Sequence, residues 1–339
     1  MRSLVLAPFS DSGLDALRAL GAVDYEPWTE TQQLQDPAEL GERIAREGVE
    51  ALVVEADFLF DDLFTAAKSL RFAAICRAAL NQVDLDAATD AGVAVVHTPG
   101  RNAQAVAELV LGDLLALARH IPQASAYVGD GRWQDPTAPY IRFKGRELAG
   151  ATLGLIGLGE IGRRVARLGR AAGMRVVAHD PYVQTRRGPA GVALVALDAL
   201  LAESDFVSVH VPESDETTGM LGRERLALMP PGAFLVNVTS TTVVDQAALA
   251  AALREGRLGG AAMDVHEAHP IPPDSPFLGM PNVILTPHIG GATVETIERH
   301  SRMVVDDLGR FVRHRRPKHL ANGEVWGHLK GVGGRRWTP

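Results

Sequence analysis

Short apolar runs and helix-period stretches alternate along this chain. Residues 4–7, 52–55, 72–77 and 93–96 are apolar runs of strand length, while 14–20 and 38–46 place their apolar residues at helical spacing. Residues 102–119 are apolar nearly all round, which predicts a buried helix crossing between domains. Strand-length runs return at 152–156, 174–179, 206–211, 234–238, 261–265 and 283–286, with helices predicted over 198–203 and 246–255. A last helix, 294–312, carries Val294, Ile297, Val304, Leu308 and Phe311 on one side and is expected to return to the first domain. Strands interleaved with helices form parallel sheets, so the pattern predicts an α/β chain of two doubly wound parallel-sheet domains with an interdomain cleft. The stretch 127–150 has no period and is expected to be a surface arm whose Trp133, Tyr140 and Phe143 bury against a second subunit.

The run 152–156 turns directly into Gly157, Gly159 and Gly162, spaced G-x-G-x-x-G, and a helix is predicted at once. Gly157 permits a tight turn, Gly159 lets backbone approach a pyrophosphate, and Gly162 lets helix and strand pack closely. The helix N-terminus at Glu160 and Ile161 offers unpaired N–H groups to the anion. The strand 174–179 then delivers Asp180 about twenty residues beyond the glycines, where a carboxylate accepts from both ribose hydroxyls of an adenosine. That charge repels a 2′-phosphate, so NAD is favoured over NADP, with Arg186 and Arg187 nearby the one feature that suits the phosphorylated form.

This makes residues 102–290, with an arm at about 121–150, a Rossmann NAD-binding domain. Residues 1–101 and 291–325 become a flavodoxin-like substrate domain, followed by a flexible tail over 326–339. Ligands of open parallel sheets sit beyond the carboxyl ends of strands, which points at 77–82 and 98–102, and the hinges are expected near Arg101 and Gly290.

The 339 residues suffice for two cores, and the net charge of -7 gives no footprint for nucleic acid. The single cysteine, Cys76, permits no intrachain disulfide and is expected as a buried small side chain, which suits the cytoplasm. The first residues lack the order of a signal peptide, and 109–118 is too short to span a bilayer and carries Asp113, so no membrane partner is expected. The cluster Arg313, Arg315, Arg316 and Lys318 follows the last helix, where cations favour its dipole.

Further blocks carry a resemblance over nearly the whole chain. They are ICRAALNQVDLDAAT from Ile75, NAQAVAELVLGDLLALAR from Asn102, HVPESDETTGML from His210, PPGAFLVN from Pro230, GGAAMDVHEAHPIPPDSPF from Gly259 and NVILTPHIGGAT from Asn282. With the glycine fingerprint they resemble the D-isomer-specific 2-hydroxyacid dehydrogenase family, as an atypical member. The resemblance implies hydride exchange between a nicotinamide and a 2-keto or 2-hydroxy acid, and a homodimer formed through the nucleotide domain. It implies His288, in T-P-H-I, as the acid and base. It also implies cofactor contacts at Val106, Tyr182, His210, Pro212, Thr217, Val238, Thr239, Asp264 (for the carboxamide) and Gly290.

Two catalytic identities depart from the family. Its substrate-binding arginine lies in a block reading approximately L-V-N-T-A-R-G-G-L-V-D, and here Ser240 holds that position. The glutamate that pairs with the histidine is replaced by His269, with Glu267 two residues earlier. Each charge-assisted hydrogen bond of an arginine fork contributes about 1.5–3 kcal/mol, and Ser240 offers at most one neutral donor. His269 no longer stabilises a protonated His288 as a carboxylate would. Glu267 on extended backbone points the same way but sits about 7 Å displaced, so reaching His288 needs a rearranged loop.

The first reading is an NAD(H)-dependent oxidoreductase with a non-standard substrate, which either lacks a carboxylate or binds it through Arg77 and the backbone of Ala78, Ala79, Leu80 and Asn81. The alternatives are an inactive NAD-binding regulatory or scaffold protein, and altered chemistry such as elimination using bound NAD. No metal is expected, because His266 and His269 are three apart rather than four.

Overall fold

A computed structural model of the chain describes residues 1–183 and 192–327. The readings at Arg186 and Arg187, and nearly all of the 326–339 tail, lie outside these residues. The chain divides into two compact units, Met1–Arg101 with the chain from Thr293 onward, and Asn102–Ala292.

In the first unit, β1 (Arg2–Val5), β2 (Ala22–Tyr25), β3 (Ala51–Val54), β4 (Phe72–Ile75) and β5 (Ala94–His97) form a parallel sheet in the order β2-β1-β3-β4-β5. This is the flavodoxin-like order the pattern predicts. The fully buried β3 and β4 explain their unbroken apolar runs. One face carries Leu40, Ile44 and Leu63, and the other carries Val304, Leu308 and Phe311 of the helix Val294–Val312. Thr293 caps that helix by accepting from the Thr296 amide.

β1 ends two residues earlier than expected because the amides of Leu6 and Ala7 both turn to the Val53 carbonyl. The sequence reading also missed β2, an edge strand with no fully buried residue, and the one-and-a-half-turn helix Asp61–Ala66.

The second unit holds β6 (Thr152–Ile156), β7 (Arg175–His179), β8 (Ala193–Leu194), β9 (Phe206–Val209), β10 (Phe234–Asn237), β11 (Gly260–Met263) and β12 (Val283–Leu285). All pairings are parallel, in the order β12-β11-β10-β9-β6-β7-β8. The order reverses at β6, so the glycine turn that follows β6 lies at the topological switch point. Helices Ala103–Arg119 and Glu160–Ala171 cover one face, while Leu197–Glu203 and Gln246–Arg254 cover the other.

The expected arm is more ordered than its composition suggests, with helices Ile121–Gly129 and Ala138–Arg142. Phe143 packs edge-on against the buried Tyr127 with ring centroids 5.5 Å apart and is half-buried within its own chain. Trp133 and Tyr140 remain exposed. Among the described residues no helix is long and apolar enough to cross a membrane.

Asp113 breaks the apolar face of Ala103–Arg119. It is buried and has no hydrogen-bond partner among the described residues. Burial pushes its carboxyl up to about 7, and the Asp264 carboxylate acts in the same direction. Between about pH 4 and 7 the folded chain holds a proton that the unfolded chain has released, so this residue costs increasing stability as pH rises through that window. Asp113→Asn should therefore raise stability by about 1–3 kcal/mol near pH 8, with the gain vanishing near pH 4. Thermal unfolding across pH measures this, and a gain independent of pH contradicts it.

Candidate functional site

The glycine turn is built by close approach. Gly157 adopts φ +95°, and a Cβ there would lie 2.7 Å from the His210 carbonyl oxygen. A Cβ on Gly162 would lie 2.3 Å from the Gly157 carbonyl oxygen, so any side chain would push the helix off the strand. Gly159 is the contrast: a Cβ there meets nothing within 4 Å. The helix Glu160–Ala171 begins with no side-chain cap, which leaves its first amides for a ligand. Glu160 turns its side chain outward to Arg164, and Ile161 is half-buried on the core side, so these two residues serve the turn through backbone.

Asp180 follows β7, and its carboxylate accepts from the Leu158 amide at 2.8 Å and the Tyr182 amide at 3.0 Å. The acid expected at the ribose is thus tied to the glycine turn itself. The exposed Tyr182 donates to Glu216 at 2.6 Å. His210, after β9, is buried with neither ring nitrogen partnered among the described residues, and burial pushes its imidazole down to about 3. A neutral, unpartnered imidazole beside a glycine cradle fits a polar ligand that supplies hydrogen bonds. Thr217 closes its own loop by donating to the Pro212 carbonyl at 2.7 Å and accepting from Ser214, so it shapes the site rather than offering a free hydroxyl. Val238 is buried, and the Thr239 hydroxyl donates to the Val209 carbonyl at 3.3 Å.

His288 stands on the loop after β12 in the left-handed region at φ +56°, a conformation non-glycine residues adopt at a cost. Asp264, after β11, holds it there. One carboxylate oxygen accepts from Thr286 Oγ1 at 2.6 Å and the Ile289 amide at 2.8 Å, and the other accepts from the Gly290 amide at 2.7 Å. Asp264, expected beside a carboxamide, is in this structure the anchor of the histidine loop. Gly290 leaves room for it, since a Cβ there would sit 2.8 Å from Asp264 Oδ2 and 3.4 Å from the buried Val106. His266 Nε2 lies 2.8 Å from the Thr286 carbonyl oxygen.

His288 Nδ1 meets His269 Nε2 at 3.1 Å. The structure brings these two together and does not bring Glu267 with them. Glu267 is exposed and lines a separate cavity of about 160 Å³ with His266 and Asp274. Among the described residues no group of three or more His, Cys, Asp or Glu side chains is placed to hold a metal ion.

Ser240, after β10, donates to Glu213 at 3.3 Å and lies 2.8 Å from the Thr242 hydroxyl. Neither Glu213 nor Thr242 was singled out from sequence: Thr242 reaches Ser240 through a local turn two residues on, and Glu213 reaches it only once the loops after β9 and β10 are side by side. In the first unit, Arg77 follows β4 and donates to Gln82 at 3.4 Å. Ala78 offers its carbonyl to His97 at 2.9 Å. Ala79 and Asn81 are exposed and Leu80 half-buried.

Residues 111–290 match the family described as D-isomer specific 2-hydroxyacid dehydrogenase, NAD binding domain. A Bacillus subtilis (strain 168) protein assigned to the 2-hydroxyacid dehydrogenases, YoaD, is 36% identical over 88% of both chains. A glyoxylate reductase of Korarchaeum cryptofilum is 41% identical over 78% of this chain and 80% of its own. The crystal structure of TT0316 protein from Thermus thermophilus superposes with a TM-score of 0.82 at 38% identity, covering 95% of this chain and 100% of that one. Fold and site together define an NAD-dependent oxidoreductase acting on CH–OH groups. The chain belongs to the D-isomer-specific 2-hydroxyacid dehydrogenase family, and NAD is its cofactor.

Replacing Asp180 removes the acceptor for ribose hydroxyls and the repulsion of a 2′-phosphate together. Asp180→Ser should weaken NADH binding about 10- to 100-fold, the worth of one or two charge-assisted hydrogen bonds, and narrow the preference over NADPH. Fluorescence titration with both nucleotides tests it, and an unchanged NADH Kd contradicts it.

Proposed function

We propose that this chain oxidises or reduces a hydroxy or carbonyl compound with His288 as acid and base, His269 as its partner, and a substrate site that departs from the rest of the family. The observation that carries the reading is the 3.1 Å contact between the two imidazoles on a loop pinned by Asp264. When bound, the nicotinamide of NAD supplies or accepts the hydride. Residues of the glycine turn, Asp180 and His210 hold its adenosine and pyrophosphate portions, and Val106, Val238, Thr239 and Gly290 bound its other end.

One hydrogen lies between His288 Nδ1 and His269 Nε2. A proton taken up or released at His288 Nε2 is therefore answered by a tautomer shift toward or away from His269. His269 holds the ring and can share its proton, but it brings no negative charge to a protonated His288. Ser240 contributes at most one neutral donor where a guanidinium would contribute a fork. We place the first unit as the substrate domain and the protein in the cytoplasm, as a homodimer formed through the second unit, with exposed Trp133 and Tyr140 at the contact.

A second reading, an NAD-binding protein that does not turn over, draws on one observation: the Ser240 hydroxyl already donates to Glu213. NADH binding without oxidation across a broad carbonyl panel singles it out.

His288→Asn should lower kcat about 10²- to 10⁴-fold while leaving NADH affinity unchanged. His269→Glu restores a carboxylate partner and should move the His288-controlled limb of the pH–rate profile to higher pH. Steady-state kinetics across pH decides both, and a profile indifferent to residue 269 contradicts the pairing.

A further inference from the structure

The loops that follow β9 to β12 carry Glu213, Ser240, His269 and His288, the residues of the proposed substrate site. Residues 210–222, 238–245, 264–282 and 286–293 contain no lysine or arginine, yet they carry Glu213, Asp215, Glu216, Asp245, Asp264, Glu267 and Asp274. Of these carboxylates, Glu216 is taken by Tyr182, Asp245 by the amide of Ala248 and Asp264 by the histidine loop. Glu213 is the one that reaches Ser240, which holds the position of the family's substrate-binding arginine.

The hydrogen-bond accounting at this point is one-sided. Ser240 donates to Glu213 at 3.3 Å, and its oxygen accepts from the Thr242 amide at 3.3 Å and from the Thr242 hydroxyl at 2.8 Å. Both hydroxyl protons are thereby spent inside the cluster. What is left over is acceptor capacity: a carboxylate offers about four lone-pair sites, and among the described residues Ser240 is the one donor to Glu213. A bound carboxylate would meet the like charge of Glu213 here. A hydroxyl group, which brings its own proton, finds a charged acceptor.

The geometry points to a substrate whose end at Ser240 is an uncharged, hydroxyl-bearing group, of the class of polyols and hydroxyketones, with Glu213 as the residue that selects it and rejects the corresponding acid. This rests on the oxidoreductase reading for the placement of the site, but it concerns recognition and can be read without turnover. The reaction it implies is balanced by the cofactor already assigned: the alcohol carbon loses a hydride to NAD and its hydroxyl proton to His288, leaving a carbonyl.

The test uses the full-length protein loaded with NAD and two probes that differ only in the terminal group, erythritol and D-erythronate, titrated by calorimetry. Erythritol should bind at least about tenfold more tightly, the effect of one charge-assisted hydrogen bond, and Glu213→Gln should reduce that ratio to about threefold or less while NADH affinity is retained. In parallel, kcat/KM for dihydroxyacetone against hydroxypyruvate should show the same preference and the same loss in the variant. Tighter binding of D-erythronate, binding of neither probe, or a ratio untouched by Glu213→Gln overturns the inference. Selective polyol binding with no turnover of any compound keeps it and overturns the oxidoreductase reading instead.

Discussion

The second unit's chemistry hangs on one buried carboxylate. Asp264 is 1% exposed, and it accepts from a hydroxyl and two amides of the loop 286–290. Those three bonds fix the residues on either side of His288, which sits at φ +56° with its ring meeting His269. A charge this deeply placed is tolerated because each of its hydrogen bonds is to the charged form. Its charge also adds to the effect of burial in raising the proton affinity of Asp113 on the neighbouring helix.

The cofactor side and the substrate side of this unit follow opposite electrostatic rules. The glycine turn presents amides and a helix N-terminus to an anion, while the loops after β9 and β10 present acceptors. A family whose substrates carry a carboxylate needs donors on both sides. In the proposed reading this chain keeps the first set and has Ser240 and Glu213 in place of the second.

Much of this architecture was legible before any coordinates. Unbroken apolar runs such as Phe72–Ile75 reflect burial on both faces, and the G-x-G-x-x-G turn with Asp180 encodes a local geometry that only glycine and a short acid satisfy. The departures at Ser240 and His269 were legible too, because they are substitutions in blocks of fixed spacing. What the sequence hid was tertiary. β2 and β8 are edge strands with half-exposed faces and show little pattern. Glu213 looks like a solvated loop acid until β9 and β10 are paired, and the bonds of Asp264 to the histidine loop exist only once the loop after β12 folds over it.

The most direct test of the histidine unit is ¹⁵N NMR of histidine-labelled protein saturated with NADH, comparing the native chain with His269→Phe and Asp264→Asn. The account predicts one proton shared between His288 Nδ1 and His269 Nε2, so that the tautomer of His288 changes when His269 is replaced and becomes averaged when Asp264 is neutralised. A His288 ring whose tautomer and exchange are the same in all three proteins would contradict it.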